Sequence, residues 1–365
     1  MADLTADDIR AAVAAGVLSE SQAARLIAIA EARRGFRLNM GDDDEPFELF
    51  KGFSEIFVTV GLALLSGGFV FLSIVLTNFF VIPVTTLVLS VVFAGYFTLR
   101  RRMTLPSIYL AFTFAFSAMW LVSRLLMIPR NLDPFSPLDI LIIFLVTGAL
   151  VIGYFAIFRV PFTLFLVGLC GIGVAFSLAG VLFPDSLSGV DILAHGGWNS
   201  LTDLGTNPIA SMTLLLFGII AFLAAMRFDL RDPHRISRNA ANAFWLHILA
   251  APAIVNVVTV SLLNVGGTAG YLLAALALVV ITLVALIIDR RSFLTAGIIY
   301  IGAILAWAMS AANVDTGWGI VWTLLLMGAF ITATGTWWTQ LRARIMAILP
   351  DTALKSKLPP YSEAP

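Results

Sequence analysis

Ala269–Ile288 reads AGYLLAALALVVITLVALII, and none of these residues carries a charge. A helix that crosses a bilayer needs about 20 apolar residues, because its backbone polar groups must bond within the segment. Ten segments meet this requirement: Phe53–Thr77, Phe79–Thr98, Leu105–Ile128, Leu138–Phe158, Phe162–Phe183, Pro208–Met226, Ala241–Leu263, Ala269–Ile288, Phe293–Ala311 and Gly317–Trp338. The sequence therefore predicts an all-α polytopic membrane protein with about ten transmembrane helices, with eight or twelve as alternatives if one segment is re-entrant.

The composition of the chain agrees with this class. Hydrophobic residues make up 60% and charged residues 12% of the sequence, whereas soluble domains carry roughly 25% charged residues. The single cysteine, Cys170, lies inside the fifth segment, so a disulfide within the chain is excluded and a thiolate metal site is not expected. The first fifty residues are polar and acidic, which predicts no cleavable signal peptide.

The basic residues predict the orientation of the chain. If the N-terminus is cytoplasmic, all of the 22 Lys and Arg residues except Arg124 and Arg130 fall on the cytoplasmic side. Because cytoplasmic loops of membrane proteins are enriched in Lys and Arg, both termini are expected to be cytoplasmic. An odd number of helices would place half of these basic loops on the wrong side of the membrane.

The residues before the first span predict a short helical hairpin. Thr5 with Asp8 and Ser19 with Gln22 have the spacing of helix N-terminal capping boxes, and Gly16 ends the first helix. Gly35 is expected to end the second helix, and an apolar seam is expected between them, formed by Ile9, Val13, Val17, Leu26 and Ile29. The second helix lacks the basic character of a DNA-reading helix, so no nucleic acid is expected as a partner.

The opening of the chain resembles a known family. The stretch Leu4–Ile27, LTADDIRAAVAAGVLSESQAARLI, is followed by a linker and many apolar spans. In this it is similar to a bacterial family of predicted multi-pass membrane proteins of unknown function with a short N-terminal cytoplasmic hairpin. The resemblance is firmest over roughly the first seventy residues, and it implies a bacterial inner (plasma) membrane but no catalytic residues.

The seventh segment, Ala241–Leu263, is the most polar span, and it contains Asn242, His247, Pro252, Asn256 and Thr259. Pro252 removes a backbone hydrogen bond and is expected to kink the helix. At about 100° per residue, Asn242, Asn256 and Thr259 share a face, whereas His247 lies about 180° from Asn256. These five residues are the candidates for a substrate path, and ordinary hydrogen bonds between helices are the alternative.

Few other ionisable residues are expected near the spans. Glu55, Arg124 and Asp139 lie close to a membrane face, which makes them candidates for gating or ion pairing. Carriers driven by protons or sodium ions usually have a carboxylate near the membrane midplane. No such carboxylate is predicted here, which argues against ion coupling. Asp191 and His195 in the loop between residues 184 and 207 are two ligand-type residues, which is too few for a metal site.

Four regions follow from these patterns: a cytoplasmic helical hairpin (1–38), an acidic linker and interfacial segment (39–52), a ten-helix transmembrane domain (53–338) and a cytoplasmic tail (339–365), expected to be mostly disordered from Leu349 onwards. No enzyme signature, cofactor site or metal site is predicted. The first functional hypothesis is a non-enzymatic accessory or assembly component of the inner membrane, with the lipid bilayer around it and a protein partner on the hairpin. The alternative is a permease or exporter of a small or amphipathic molecule that uses the seventh helix.

Overall fold

The structure is a computed structural model, and it describes residues 6–33, 53–75, 81–127, 136–184, 201–233, 235, 238–312, 316–350, 352 and 355–359. The described residues are all-α, with thirteen helices. They are α1 (Ala6–Ala14), α2 (Glu20–Arg33), α3 (Phe53–Val75), α4 (Val81–Ala94, continued by a π-helical turn Gly95–Arg100), α5 (Thr104–Met127), α6 (Pro137–Phe158), α7 (Phe162–Leu182), α8 (Pro208–Asp229), α9 (Arg238–Leu263), α10 (Gly267–Ile288), α11 (Ser292–Ala311), α12 (Thr316–Thr336) and α13 (Trp338–Ile348).

The ten helices α3 to α12 are long and apolar enough to cross a membrane, which confirms the predicted class and the predicted number of spans in the described part of the chain. Most ends lie within two or three residues of their predicted positions. α8 is the informative difference, because it continues through Arg227 to Asp229. The predicted segment ends at Met226, because Arg227 and Asp229 after it are charged.

The N-terminal hairpin is present. The Ser19 backbone N–H donates to Gln22 Oε1 (3.0 Å) and the Gln22 N–H donates to Ser19 Oγ (3.2 Å), so the second predicted capping box forms. Gly16 adopts φ +72°, which a residue with a Cβ would adopt only with strain. The apolar seam differs from the prediction, because Ile9 and Ala23 are buried whereas Val17 is 75% exposed.

The chain divides into two compact units. The first unit comprises residues 46–217 and contains α3 to α7. Its core is formed by side chains from all five helices, including Leu62, Ala94, Phe114, Tyr154 and Leu166. Within it, Thr86 of α4 and Ser117 of α5 share a buried hydrogen bond between their hydroxyls (2.7 Å).

The second unit comprises residues 1–45 and 218–365. Its core is centred on α9, the most enclosed of the described spans, with 50% of its most apolar stretch buried. Small residues allow this packing. A Cβ added at Gly218 would lie 2.9 Å from Ala253 Cβ, which shows how closely α8 approaches α9. Ala250 and Ala251 are also completely buried.

The chain after the last span forms a further helix and a short turn. Trp338–Ile348 form helix α13, whose buried residues Trp338, Arg342, Ala343 and Met346 lie on one helical face. Lys355–Lys357 form a 3-10 turn, and Pro359 is buried. The expectation that the chain beyond Leu349 is mostly disordered is therefore corrected for these residues.

Candidate functional site

A buried charge cluster lies where several helix ends of the second unit meet. Asp229 is the last residue of α8, and Arg290 lies in the α10–α11 corner, which we define as residues 289–291. His247 lies nine residues after the start of α9, about 13 Å along the helix axis. Because the C-terminal ends of α8 and α10 meet the N-terminal parts of α9 and α11, these four helices alternate in direction.

Asp229, His247 and Arg290 form the first half of the cluster, which we call the triad. Asp229 Oδ2 lies 2.8 Å from His247 Nε2 and accepts from Arg290 Nε at 3.1 Å. Arg290 Nη2 donates to Asp229 Oδ1 and to the Ala240 carbonyl (3.3 Å). Since a carboxylate paired with a guanidinium can only accept, His247 Nε2 carries a proton and donates it to Asp229 Oδ2. The triad is thus one carboxylate held from two directions.

The triad is closed off from solvent in this conformation. The side chains of His247, Arg290 and Asp229 are 0%, 3% and 7% exposed. The rings of Phe222 and Phe293 lie edge-on to the His247 imidazole, with centroids 5.7 and 5.9 Å away. Moving charged groups out of water costs several kcal/mol per ion, which the fork-like pairing of Arg290 with Asp229 offsets.

Asp289 is the centre of the second half of the cluster. Its Oδ2 forms an ion pair with Arg235 Nη1 (2.9 Å), and its Oδ1 accepts from the Trp338 indole N–H (2.7 Å). Arg342 Nε lies 3.9 Å from the same Oδ1. Asp289 therefore joins the loop before α9 and the start of α13 to the end of α10.

The backbone of Asp289 is as constrained as its side chain. The residue ends α10 in the left-handed conformation (φ 57°, ψ 50°), and its N–H donates to the Ala285 carbonyl. Its own carbonyl accepts from Arg235 Nη2 (2.8 Å). Aspartate tolerates this conformation better than most residues with a Cβ. The turn directs Arg290, the next residue, toward Asp229.

The cluster combines two carboxylates, three guanidiniums and one imidazole. Arginine stays positive in proteins, so aspartate and histidine are the members able to gain or lose a proton. An array of this kind can fix helix ends relative to one another, and it can also respond to a proton or to a charged solute. Its arginines could hold an anion if the cluster opened.

The other path candidates of α9 are spread along the helix. Asn256 Oδ1 accepts from the Tyr300 hydroxyl (2.9 Å), which is a hydrogen bond between α9 and α11. Asn242 and Thr259 are buried, and Asn242 Oδ1 and Thr259 Oγ1 have no hydrogen-bond partner among the described residues. α9 continues as a helix through Pro252. His247 is thus the one path candidate that the structure brings into a charge cluster.

Glu55 and Asp139 act as helix caps in this structure. Glu55 is buried, and its two carboxylate oxygens accept from the backbone N–H groups of Thr104 and Leu105, each at 3.0 Å, at the start of α5. Asp139 completes a capping box with Ser136 at the start of α6. A carboxylate at a helix N-terminus satisfies N–H groups that have no partner within the helix. Arg124 lies half-buried in the last turn of α5.

Several predictions fall outside the described residues. Asp191 and His195 belong to the stretch 185–200, and the acidic linker belongs to 34–52; the structure describes neither. Thr5 and Gly35 of the hairpin are also outside the described ranges.

Sequence reasoning missed most of the cluster. The sequence predicts Arg235, Arg290 and Arg342 only as cytoplasmic positive charge, and it predicts no role for Asp229 or Asp289. A signal was present, since each aspartate lies at the end of an apolar run and beside arginines: Asp229 in MRFDLRD (226–232) and Asp289 in IIDRR (287–291). An acid that directly follows a span among arginines is a candidate for pairing with another helix end.

Comparisons with known proteins leave the family open. No protein-family model, curated protein or solved structure matches this chain. The fold and the cluster define a polytopic helical membrane protein with a buried charge network in its second unit. The family resemblance of residues 4–27 stays a prediction.

Proposed function

We propose that the protein is a permease for a small or amphipathic solute, with its path along α9 and the triad as the charged element of that path. The observation that carries this proposal is the bonding of His247, a path candidate from the sequence, to a buried carboxylate and a buried guanidinium. Ionisable groups within membrane spans are costly, and they commonly belong to solute pathways and proton relays.

α9 also has a place to bend. Pro252 lies between His247 and Asn256, and it lacks the N–H that would bond to the Ile248 carbonyl. A helix weakened at this point can move its two halves separately, as the interrupted helices of transporters do. The described conformation, with Phe222 and Phe293 over His247, then corresponds to a state that is closed at the triad.

The first test is a search for a solute that binds. A solute that binds only the folded protein at 100 times its Kd stabilises it by about 2.7 kcal/mol. Thermal unfolding of the purified protein is therefore followed by tryptophan fluorescence against a panel of organic anions, amino acids, sugars and amphipathic amines. A solute that raises the unfolding temperature is then tested for uptake into proteoliposomes.

Three variants decide the role of the triad. Asp229→Asn and His247→Gln remove its titratable groups with little change in size, and we expect each to lower uptake at least tenfold. Thr86→Val is the control, because it removes a buried hydrogen bond of the first unit outside the triad. Uptake that survives both triad variants, or a panel without any stabilising solute, would contradict the proposal.

A second candidate function is an accessory or assembly component that binds a protein partner through the hairpin. The observation that favours it is Val17, an apolar residue that is 75% exposed at the turn of the hairpin. A photo-crosslinking amino acid at position 17 should then yield one defined adduct in cells, and the same amino acid at Ser21 should not. Absence of an adduct from position 17 would remove the support for this role.

Both candidate functions share the same setting, which is also proposed: a bacterial inner membrane, cytoplasmic termini, and no catalysis, cofactor or nucleic acid. The excess of arginine on one side supports the orientation. The native Cys170 is buried, so a cysteine introduced by Val17→Cys reports on its own side of the membrane. We expect an impermeant maleimide to label Val17→Cys only in opened cells. Labelling in intact cells would reverse the orientation.

A further inference from the structure

The segment after α13 folds back on the protein. We call residues 355–359 the tail segment. Lys355 Nζ donates to the Leu349 carbonyl (2.9 Å), and the Leu358 N–H donates to the Lys355 carbonyl (3.2 Å). Pro359 is buried, and its carbonyl accepts a hydrogen bond from Arg342 Nη2 of α13. The tail segment therefore contacts Leu349, the residue after α13, at its beginning, and Arg342 of α13 at its end.

Arg342 links the tail segment to the charge cluster. Its side chain is 4% exposed, with Nη2 toward Pro359 and Nε 3.9 Å from Asp289 Oδ1. Trp338, one helical turn earlier, donates to the same carboxylate oxygen. Asp289 directly precedes Arg290, so a continuous set of contacts connects Pro359 with the triad.

The physical consequence follows from the fixed charge of Arg342. A guanidinium stays charged in proteins. The loss of a hydrogen-bond acceptor from a buried arginine therefore costs more free energy than the loss of an ordinary hydrogen bond. With Pro359 in place, Arg342 is held between the tail segment and Asp289. If the tail segment leaves, water must reach Arg342, and α13 must shift or loosen to admit it.

We propose that the tail segment is a strap that holds α13 against the α10–α11 corner and thereby keeps the triad closed. Release of the strap loosens the corner, and Arg290 with it. The strap rests on the contacts of Arg342, whereas its effect on solute passage rests on the proposed permease function. The two claims are therefore tested by different readouts.

Hydrogen–deuterium exchange of the purified protein tests the strap directly. A chain that ends after Leu354 lacks the tail segment, and a chain that ends after Tyr361 keeps it. In the shorter chain we expect amides within residues 286–296 and 338–348 to exchange about tenfold faster than in the full chain, because a hydrogen bond to a charged group has been lost. The longer truncated chain should match the full chain in both regions.

Two results would overturn the strap. One is faster exchange confined to residues 349–354, because the corner would then be independent of the tail segment. The other is equal acceleration in both truncated chains, because the effect would then come from the new chain end. If the shorter chain does not fold, Lys355→Met in the full chain removes the ammonium group that donates to the Leu349 carbonyl. It should accelerate the same two regions severalfold, and unchanged exchange there would again overturn the proposal.

The same variants separate the strap from the permease. If exchange at the corner accelerates and no solute is taken up by any form of the protein, the strap stands and the permease proposal fails. If a solute is found, the chain that ends after Leu354 should take it up faster than the chain that ends after Tyr361. Equal uptake with accelerated exchange would show that loosening the corner does not open the path.

Discussion

Removal of the Arg290 guanidinium should be among the most damaging single substitutions in the second unit. Arg290→Met keeps a long side chain but leaves the Asp229 carboxylate, 7% exposed, with the His247 imidazole as its remaining partner in the triad. Breaking a buried ion pair by removing one partner costs about 3–5 kcal/mol. At about 2–4 °C per kcal/mol, the expected fall in unfolding temperature is about 6–20 °C.

The physical cause can be isolated by a double-mutant cycle. Asp229→Asn removes the buried negative charge and keeps an oxygen that accepts from His247 Nε2. In the double variant Asp229→Asn/Arg290→Met no unpaired charge is buried, so about 1–3 kcal/mol of the loss should be recovered relative to Arg290→Met alone. Arg231→Met is the matched control, because Arg231 is exposed in the same unit, and its effect should stay within about 0.5 kcal/mol.

The assay is thermal unfolding of each purified variant in one detergent, followed by tryptophan fluorescence, with the gel-filtration profile as a check on folding. Two outcomes would refute the reasoning. If Arg290→Met unfolds within about 2 °C of the unsubstituted protein, the ion pair is not closed to water as described. If the double variant loses the sum of both single losses, the two side chains act independently.

Three further substitutions test the packing around the site and in the first unit. Glu55→Ala leaves two backbone N–H groups at the start of α5 without their acceptor. It should lower the free energy of unfolding, measured by denaturant titration, by about 1–3 kcal/mol. Glu55→Gln should lower it less. Tyr300→Phe should lower the free energy of unfolding by about 0.6–2 kcal/mol in the same titration. Asn256→Leu should cost less in the Tyr300→Phe protein than in the unsubstituted protein, because the hydrogen bond between the two side chains is already lost. Equal costs in the two proteins would show that this hydrogen bond contributes nothing. Gly173→Ala should cost about 1–3 kcal/mol, because its Cβ would overlap the Phe144 ring, whereas Gly61→Ala meets no atom within 4 Å and should be neutral or slightly stabilising; equal effects would contradict the packing.

The spans were predictable because the bilayer imposes a local rule. Each helix must satisfy its own backbone and present about 20 apolar residues, and both requirements can be evaluated within one window of sequence. The start of α5 at Thr104 lies one residue from its predicted position, and the capping box of Ser19 formed as its spacing predicted. α13 was missed because its polar residues made it resemble a tail, although Trp338, Arg342 and Met346 recur at helical spacing.

The site was less predictable because its pairings are distant in sequence. Arg290 and Asp229 are 61 residues apart, and Asp289 and Trp338 are 49 apart. Within a short window of sequence, each arginine is only a positive charge beside a span. Arginines are common there because basic residues in cytoplasmic loops set the orientation of the chain. Whether such an arginine remains in water or bonds a carboxylate at another helix end depends on which helices are neighbours.

The alternating direction of the spans indicates which helix ends can be neighbours, and a short window of sequence does not contain this information. In a chain that crosses the membrane back and forth, the ends of α8 and α10 and the start of α9 necessarily lie on one side. An acid at one such end is therefore within reach of arginines from other connections on that side, and the bilayer penalises any arrangement that buries it alone. Asp229 and Asp289 are the residues that this argument selects at the ends of α8 and α10, and each is held by an arginine from another connection. The positive-inside rule identifies one side of the membrane as basic. In this protein the acidic residues at span ends find specific arginine partners on that side, and one of these acids, Asp229, also bonds His247.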